Sequence, residues 1–152
     1  MLFRSRYHGD YHLGQVLLSK NDFVITDFEG EPGRSFAERR RKHSALRDVA
    51  GMLRSFNYAS WAALKQVVRV PDDVPLLAPI ALEWERQARA AFLGSYGKRV
   101  GEARPGARLS LELIRLFEIE KALYELRYEL HHRPDWVLIP LQGLTDLAAG
   151  SS

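Results

Sequence analysis

His8-Gly9-Asp10-Tyr11-His12-Leu13-Gly14-Gln15, followed a short distance on by Asp27-Phe28-Glu29-Gly30, is the stretch on which the fold turns. Glycines at 9 and 14 allow tight backbone turns on either side of Asp10. Val16-Leu17-Leu18 reads as a β run, Ser19-Lys20-Asn21-Asp22 as turn chemistry, and Phe23-Val24-Ile25-Thr26 as a second run. That order predicts a β-hairpin with an acidic loop at each end. Residues 1–8 read as a short strand leading in, and Gly30, Pro32 and Gly33 stop the second run.

The spacing has a chemical meaning. Metal-assisted phosphoryl transfer needs one carboxylate to meet the acceptor hydroxyl proton and hard oxygens to hold magnesium against the phosphates. In protein kinases these come from His-x-Asp-x-x-x-x-Asn and a following Asp-Phe-Gly. Here Asp10 follows His8 by two, the amide Gln15 follows Asp10 by five, and Asp27 ends the next strand. Each piece alone is common, and its bland reading is a loop with polar caps. The conjunction points to a kinase.

From residue 34 onward the pattern is helical. Leu46, Val49, Ala50 and Leu53 form an amphipathic stripe. Pro71, Pro75 and Pro79 predict a linker and a helix over 78–95, while Gly94, Gly97, Gly101, Pro105 and Gly106 predict a loop. Within that loop Gly94-Ser95-Tyr96-Gly97-Lys98-Arg99 lacks the spacing of a phosphate-binding loop. Residues 108–132 predict the longest helix; its leucines cover more than one face, which suggests passage through the core. Pro134 suits the first turn of a last helix that Pro140 should kink or delay. The Ala-Gly-Ser-Ser end is expected to fray. The expected fold class is mainly α with a small N-terminal β-hairpin: residues 1–33 carry the catalytic loop and metal-binding hairpin, and 34–152 a helical acceptor-site region.

Composition narrows the classes. The chain has 152 residues, 46% hydrophobic and 27% charged, which suits one globular domain rather than disorder. No cysteine is present, which excludes disulfides and thiolate metal sites and makes a cytoplasmic location the default. No apolar run approaches a membrane span, and the start lacks a signal-peptide core. A net charge of +3 is too small to imply nucleic acid. The basic run Arg39-Arg40-Arg41-Lys42-His43 reads as a solvated helix start.

The segment from His8 to Leu17 resembles the catalytic loop of the aminoglycoside-phosphotransferase-like kinases, and within them the bacterial maltokinases, which occur alone or fused behind trehalose synthase. The likeness continues in Asp27-Phe28-Glu29-Gly30-Glu31-Pro32, in Ala37-Glu38-Arg39-Arg40-Arg41-Lys42 and in Leu46-Arg47-Asp48-Val49-Ala50-Gly51-Met52-Leu53-Arg54-Ser55-Phe56. It returns in Glu120-Lys121-Ala122-Leu123-Tyr124-Glu125-Leu126 and in Arg133-Pro134-Asp135-Trp136 with Ile139-Pro140-Leu141. Gln15, where other members have Asn, fits the maltokinases better than the aminoglycoside kinases.

The resemblance implies a kinase-like C-terminal lobe that phosphorylates maltose from ATP at the anomeric hydroxyl. Asp10 is then the base, Gln15 and Asp27 hold Mg2+ and with it the nucleotide phosphates, and His12 contacts the transferred phosphate. His8 braces the loop, and Asp48 caps its helix or accepts hydrogen bonds from the loop backbone. Tyr124 and Tyr128, four apart, share a helical face with Glu125 nearby. With Trp136 they read either as an aromatic core stripe or, as the resemblance suggests, as a wall for the sugar. The implied partners are maltose or a similar sugar, ATP, an upstream N-lobe that this sequence does not contain, and trehalose synthase in cis or in trans. Neither nucleic acid nor membrane is expected as a partner. The chain alone is expected to be inactive. Two alternatives stand beside this: a kinase of the same fold acting on an aminoglycoside, choline or another sugar, and a non-catalytic module that binds a trehalose synthase.

Overall fold

A computed structural model describes residues 6–150. It is mostly helical with one two-stranded antiparallel sheet, β1 (Val16–Ser19) and β2 (Asp22–Ile25), paired from Val16 opposite Ile25 to Ser19 opposite Asp22. Lys20 and Asn21 make the turn with φ of 48° and 65°, the left-handed pair that matches strand twist in a two-residue hairpin. Leu17, Leu18, Phe23 and Val24 are all exposed, so no described residue covers the hairpin's apolar surface. Residues 6–8 form no strand, and the remainder of the expected leading strand lies outside the described residues, as do the last two residues.

A capping box starts α1 (Phe36–Arg39): Ser35 Oγ accepts from Glu38 N, and the Glu38 carboxylate accepts from Ser35 N. Helix α2 (Leu46–Val67) follows and is the hub, packing against α3 (Val74–Ala103), α4 (Leu111–His132) and α5 (Leu138–Ala149). Val49, Ala50 and Leu53 of the anticipated stripe are buried with Ile114, and Phe56, Phe92, Leu93 and Tyr96 close around them.

Three expectations are corrected here. Helix α3 begins at Val74 and runs unbroken to Ala103, through Gly94, Gly97 and Gly101 of the expected loop, while Pro105 and Gly106 do lie in the loop that follows it. Pro75 lies in its first turn, where no amide donor is needed, and Pro79 is exposed so that water can take the carbonyl it leaves open. Three glycines cost a helix about 3 kcal/mol together, which the packing of the partly buried Phe92, Leu93 and Tyr96 against the core offsets. Gly97 also gives Leu109 room: a Cβ there would stand 3.2 Å from Leu109 Cδ1. Helix α4 does not run through the core, because Leu116 and Leu123 are 57% and 53% exposed. Pro134 opens a separate 3-10 turn, Pro134–Trp136, and not the last helix, which starts at Leu138 with Pro140 buried in its first turn.

Candidate active site

Helix α2 holds the segment around Asp10 from one side. Asp48 accepts hydrogen bonds from His8 N (2.7 Å) and Gly9 N (2.9 Å). Burial pushes the Asp48 carboxyl above its ordinary pKa, and those two amides oppose the shift. One turn further, a Cβ on residue 51 would lie 2.7 Å from the Tyr11 carbonyl oxygen, so helix and loop meet only because Gly51 has no side chain. Another turn on, Ser55 Oγ accepts from Leu13 N at 3.2 Å. His8 ties the loop to the hairpin. Its Nδ1 accepts from Asp10 N (3.3 Å), which leaves Nε2 to donate to Thr26 O (2.7 Å).

Asp10 is reached from the far end of the chain. Lys121 Nζ on α4 donates to Asp10 Oδ1 at 3.0 Å and to Glu31 Oε1 at 2.6 Å. Glu31 is buried and takes a second cation, Arg34 Nε, on Oε2 at 2.8 Å. Burial works against the Lys121 ammonium, but Glu31 and then Asp10 outweigh it and hold its pKa above the ordinary value. His12 Nε2 stands 3.9 Å from Asp10 Oδ2, and its Nδ1 accepts from Gly14 N at 3.1 Å. Burial lowers the His12 pKa, with Asp10 opposing and Lys121 assisting, so the imidazole is neutral near pH 7. Asp10 therefore has one oxygen committed to Lys121 and Oδ2 turned toward His12.

At the end of the hairpin Gln15 Nε2 donates to Asp27 Oδ2 (2.9 Å), and Gln15 Oε1 accepts from Thr26 Oγ1 (3.2 Å). Asp27 adopts φ of 61°, a left-handed conformation that an Asp tolerates better than most residues. Among the described residues no cluster of three His, Asp or Glu side chains could hold a metal. One carboxylate beside one amide does suit magnesium, which binds through few protein oxygens and completes its shell with water and phosphate. Turning the Gln15 carboxamide over would set Oε1 alongside Asp27.

A cavity of about 1250 Å³ opens beside Asp10 and His12, walled by α2 and α4. Tyr124, Glu125 and Tyr128 line it. Tyr124 lies under Lys121, whose Nζ is 4.9 Å from the ring centre, and Tyr128 stacks on His132 at 4.3 Å. Glu125 Oε2 accepts from Arg54 Nη2 at 2.7 Å, and burial raises the Glu125 pKa against that pairing. Trp136 is not among the lining residues; it stacks behind Tyr58, ring planes 3° apart and centres 6.1 Å apart. Gln15 and Asp27 also lie outside the cavity lining. The structure thus joins Asp10, His12, Tyr124, Glu125 and Tyr128 in one space, with Gln15 and Asp27 paired at the hairpin.

Sequence reasoning did not single out Lys121, Glu31, Tyr58 or Arg54. A Lys in a helix reads as solvated, and only the two acids that fold against Lys121 distinguish it. Tyr58, whose hydroxyl donates to the buried Glu129 at 2.8 Å, belonged to no motif.

No protein-family model matches the chain. It is 33% identical over 134 residues to a glucosamine kinase of Mycolicibacterium smegmatis, an alignment covering 88% of this chain and 32% of that protein. A glucosamine kinase of Streptacidiphilus jiangxiensis is 30% identical over 140 residues, covering 92% and 31%. A solved glucosamine kinase in complex with glucosamine, ADP and inorganic phosphate superposes with a TM-score of 0.80 at 26% identity, covering 92% of this chain and 32% of that one. The chain shares the fold of that part of the kinase. It spans about a third of the length of the curated relatives it matches.

Proposed function

We propose that this chain forms the acceptor-side part of an ATP-dependent sugar kinase. The observation that carries the reading is Asp10: Lys121 holds one carboxylate oxygen, the other lies toward His12, and the residue lines a large cavity with aromatic and hydroxyl-bearing walls. The sugar hydroxyl donates to Asp10 Oδ2. As the sugar oxygen bonds to the γ-phosphorus, its proton passes to Asp10, the bond from that phosphorus to the β-phosphate oxygen breaks, and ADP leaves with the electron pair. Neutral His12, with Nδ1 accepting from Gly14, has an Nε2–H to offer a phosphoryl oxygen. Gln15 and Asp27 would hold Mg2+, which when bound neutralises charge on the phosphates. A nucleotide-binding N-lobe would cover the exposed apolar side chains of the hairpin.

Maltose is the acceptor implied by the sequence motifs, and glucosamine is the sugar named for the relatives. The carboxylates lining the cavity favour a neutral sugar, because each already has a cation: Asp10 has Lys121, Glu125 has Arg54 and Glu129 has Arg133. The test joins this chain to the remaining two thirds of the Streptacidiphilus jiangxiensis enzyme and measures ADP release with maltose, glucose and glucosamine. Turnover of a sugar supports the kinase reading, with kcat/KM expected to be higher for a neutral sugar than for glucosamine. No turnover of any of them would reject it.

The metal assignment has its own check in the same chimera. Asp27→Asn should raise the magnesium concentration for half-maximal rate by roughly tenfold or more, since it removes the one charged ligand. Gln15→Ala removes a neutral ligand and should recover at high magnesium. Equal magnesium dependence in all three proteins would remove the pair from the metal site.

A further inference from the structure

We propose that Lys121, anchored by Glu31, is the positioning residue of the site: it fixes Asp10 so that Oδ2 alone faces the acceptor, and it sets how readily that oxygen takes a proton. The inference rests on the kinase reading for its consequence, though not for its test. Lys121 Nζ bridges Asp10 Oδ1 and Glu31 Oε1 at 3.0 and 2.6 Å, and the three side chains are 22%, 17% and 4% exposed. A bridge this enclosed is little screened by solvent, so the loss of the ammonium would be felt at Asp10 more than on an open surface.

Glu31 gives the arrangement its second control. Its carboxylate draws on the same ammonium and, being negative, works against ionisation of Asp10. Arg34 Nε on Glu31 Oε2, and Glu120 beyond it, keep Glu31 in place whether or not Lys121 is present. The other groups facing Asp10 are His8 and His12 from its own segment, Asp48 from α2 and Tyr124 from α4. None of them bridges Asp10 to a second carboxylate. Cutting the bridge at Lys121 removes a positive charge beside Asp10 and cutting it at Glu31 removes a negative one, so the two changes act on Asp10 with opposite sign. A bridge that merely fastened α4 to the loop would carry neither change into the pH dependence of turnover.

That sign difference is the experiment. The Asp10 carboxyl carbon is followed by NMR through a pH titration of the 152-residue chain as wild type, Lys121→Met, Lys121→Arg and Glu31→Gln. Lys121→Met removes the cation, so the Asp10 pKa should rise by about one unit or more. Glu31→Gln leaves the cation with Asp10 as its only carboxylate, so the pKa should fall. Lys121→Arg keeps the charge and should return the titration toward wild type. In the active chimera the acid limb of kcat/KM should follow the same order, upward for Lys121→Met and downward for Glu31→Gln. An Asp10 titration unmoved in folded Lys121→Met, or moved the same way by both changes, overturns the proposal. If Lys121→Met does not fold, Glu31→Gln decides alone, and an unchanged or raised pKa there overturns it. A chimera without sugar kinase activity would reject the kinase reading while the NMR titration still judged Lys121.

Discussion

Asp10→Asn in the chimeric kinase is expected to lower kcat by roughly 10²–10⁴-fold, the usual range for loss of a general base. The change keeps the side chain's shape. What it removes is the basic oxygen: Oδ1 of Asp10 is held by Lys121, and Oδ2 is the atom turned toward His12. Nucleotide binding should be nearly unaffected, because Gln15 and Asp27, the pair proposed to hold magnesium, lie apart at the hairpin end. The prediction is therefore a split, with kcat falling and KM for ATP holding. Near-normal kcat would show that another group accepts the proton.

The largest stability effect is expected at Arg54, which is 1% exposed in the middle of α2. Its guanidinium donates to Glu125 on α4 and to Asn57, which in turn donates to the buried Glu85 on α3. Gly143 of α5 packs so closely on the guanidinium that a Cβ there would overlap it. Arg54→Leu would leave Glu125 buried without its cation, a loss of about 3–5 kcal/mol, out of the ~5–15 kcal/mol typical of a whole domain. Thermal unfolding should fall by on the order of 10 °C. Because burial already raises the Glu125 pKa, removing Arg54 raises it further. The folded state then binds more protons than the unfolded one, so the deficit should grow as pH rises above the unfolded carboxyl value and shrink in acid. The double change Arg54→Leu with Glu125→Leu should recover much of the loss. A melting temperature that ignores Arg54→Leu at neutral pH would show that water reaches the pair freely.

The hairpin and the Asp10 loop were legible because their signals are local: a turn-forming pair between apolar runs, and side chains spaced along one short segment. The stripe of α2 was legible for the same reason. What failed was whatever depends on distant packing. Gly94 to Gly101 looked like a loop because propensity carries no knowledge of Phe92 and Tyr96 meeting a core. Lys121 was invisible as a site residue because its partners, Asp10 and Glu31, lie 111 and 90 positions away. Trp136 was read either as part of a core stripe or as a wall for the sugar, and it stands outside the cavity lining, stacked on a Tyr58 that no motif announced.

Helix α2 sets one constraint on everything built against it. Asp48, Gly51, Ser55 and Tyr58 fall on a single face of one unbroken rod, the first three at the Asp10 loop and the last in the cavity wall. At ~1.5 Å per residue, Asp48 and Tyr58 stand about 15 Å apart along its axis. The helix is thus a ruler between the Asp10 loop and the cavity wall at Tyr58. Side-chain exchanges can reshape that wall freely, but inserting or deleting one residue between 48 and 58 would swing the two ends about 100° out of phase. Change in acceptor size should therefore arise by substitution along α2 and never by altering its length.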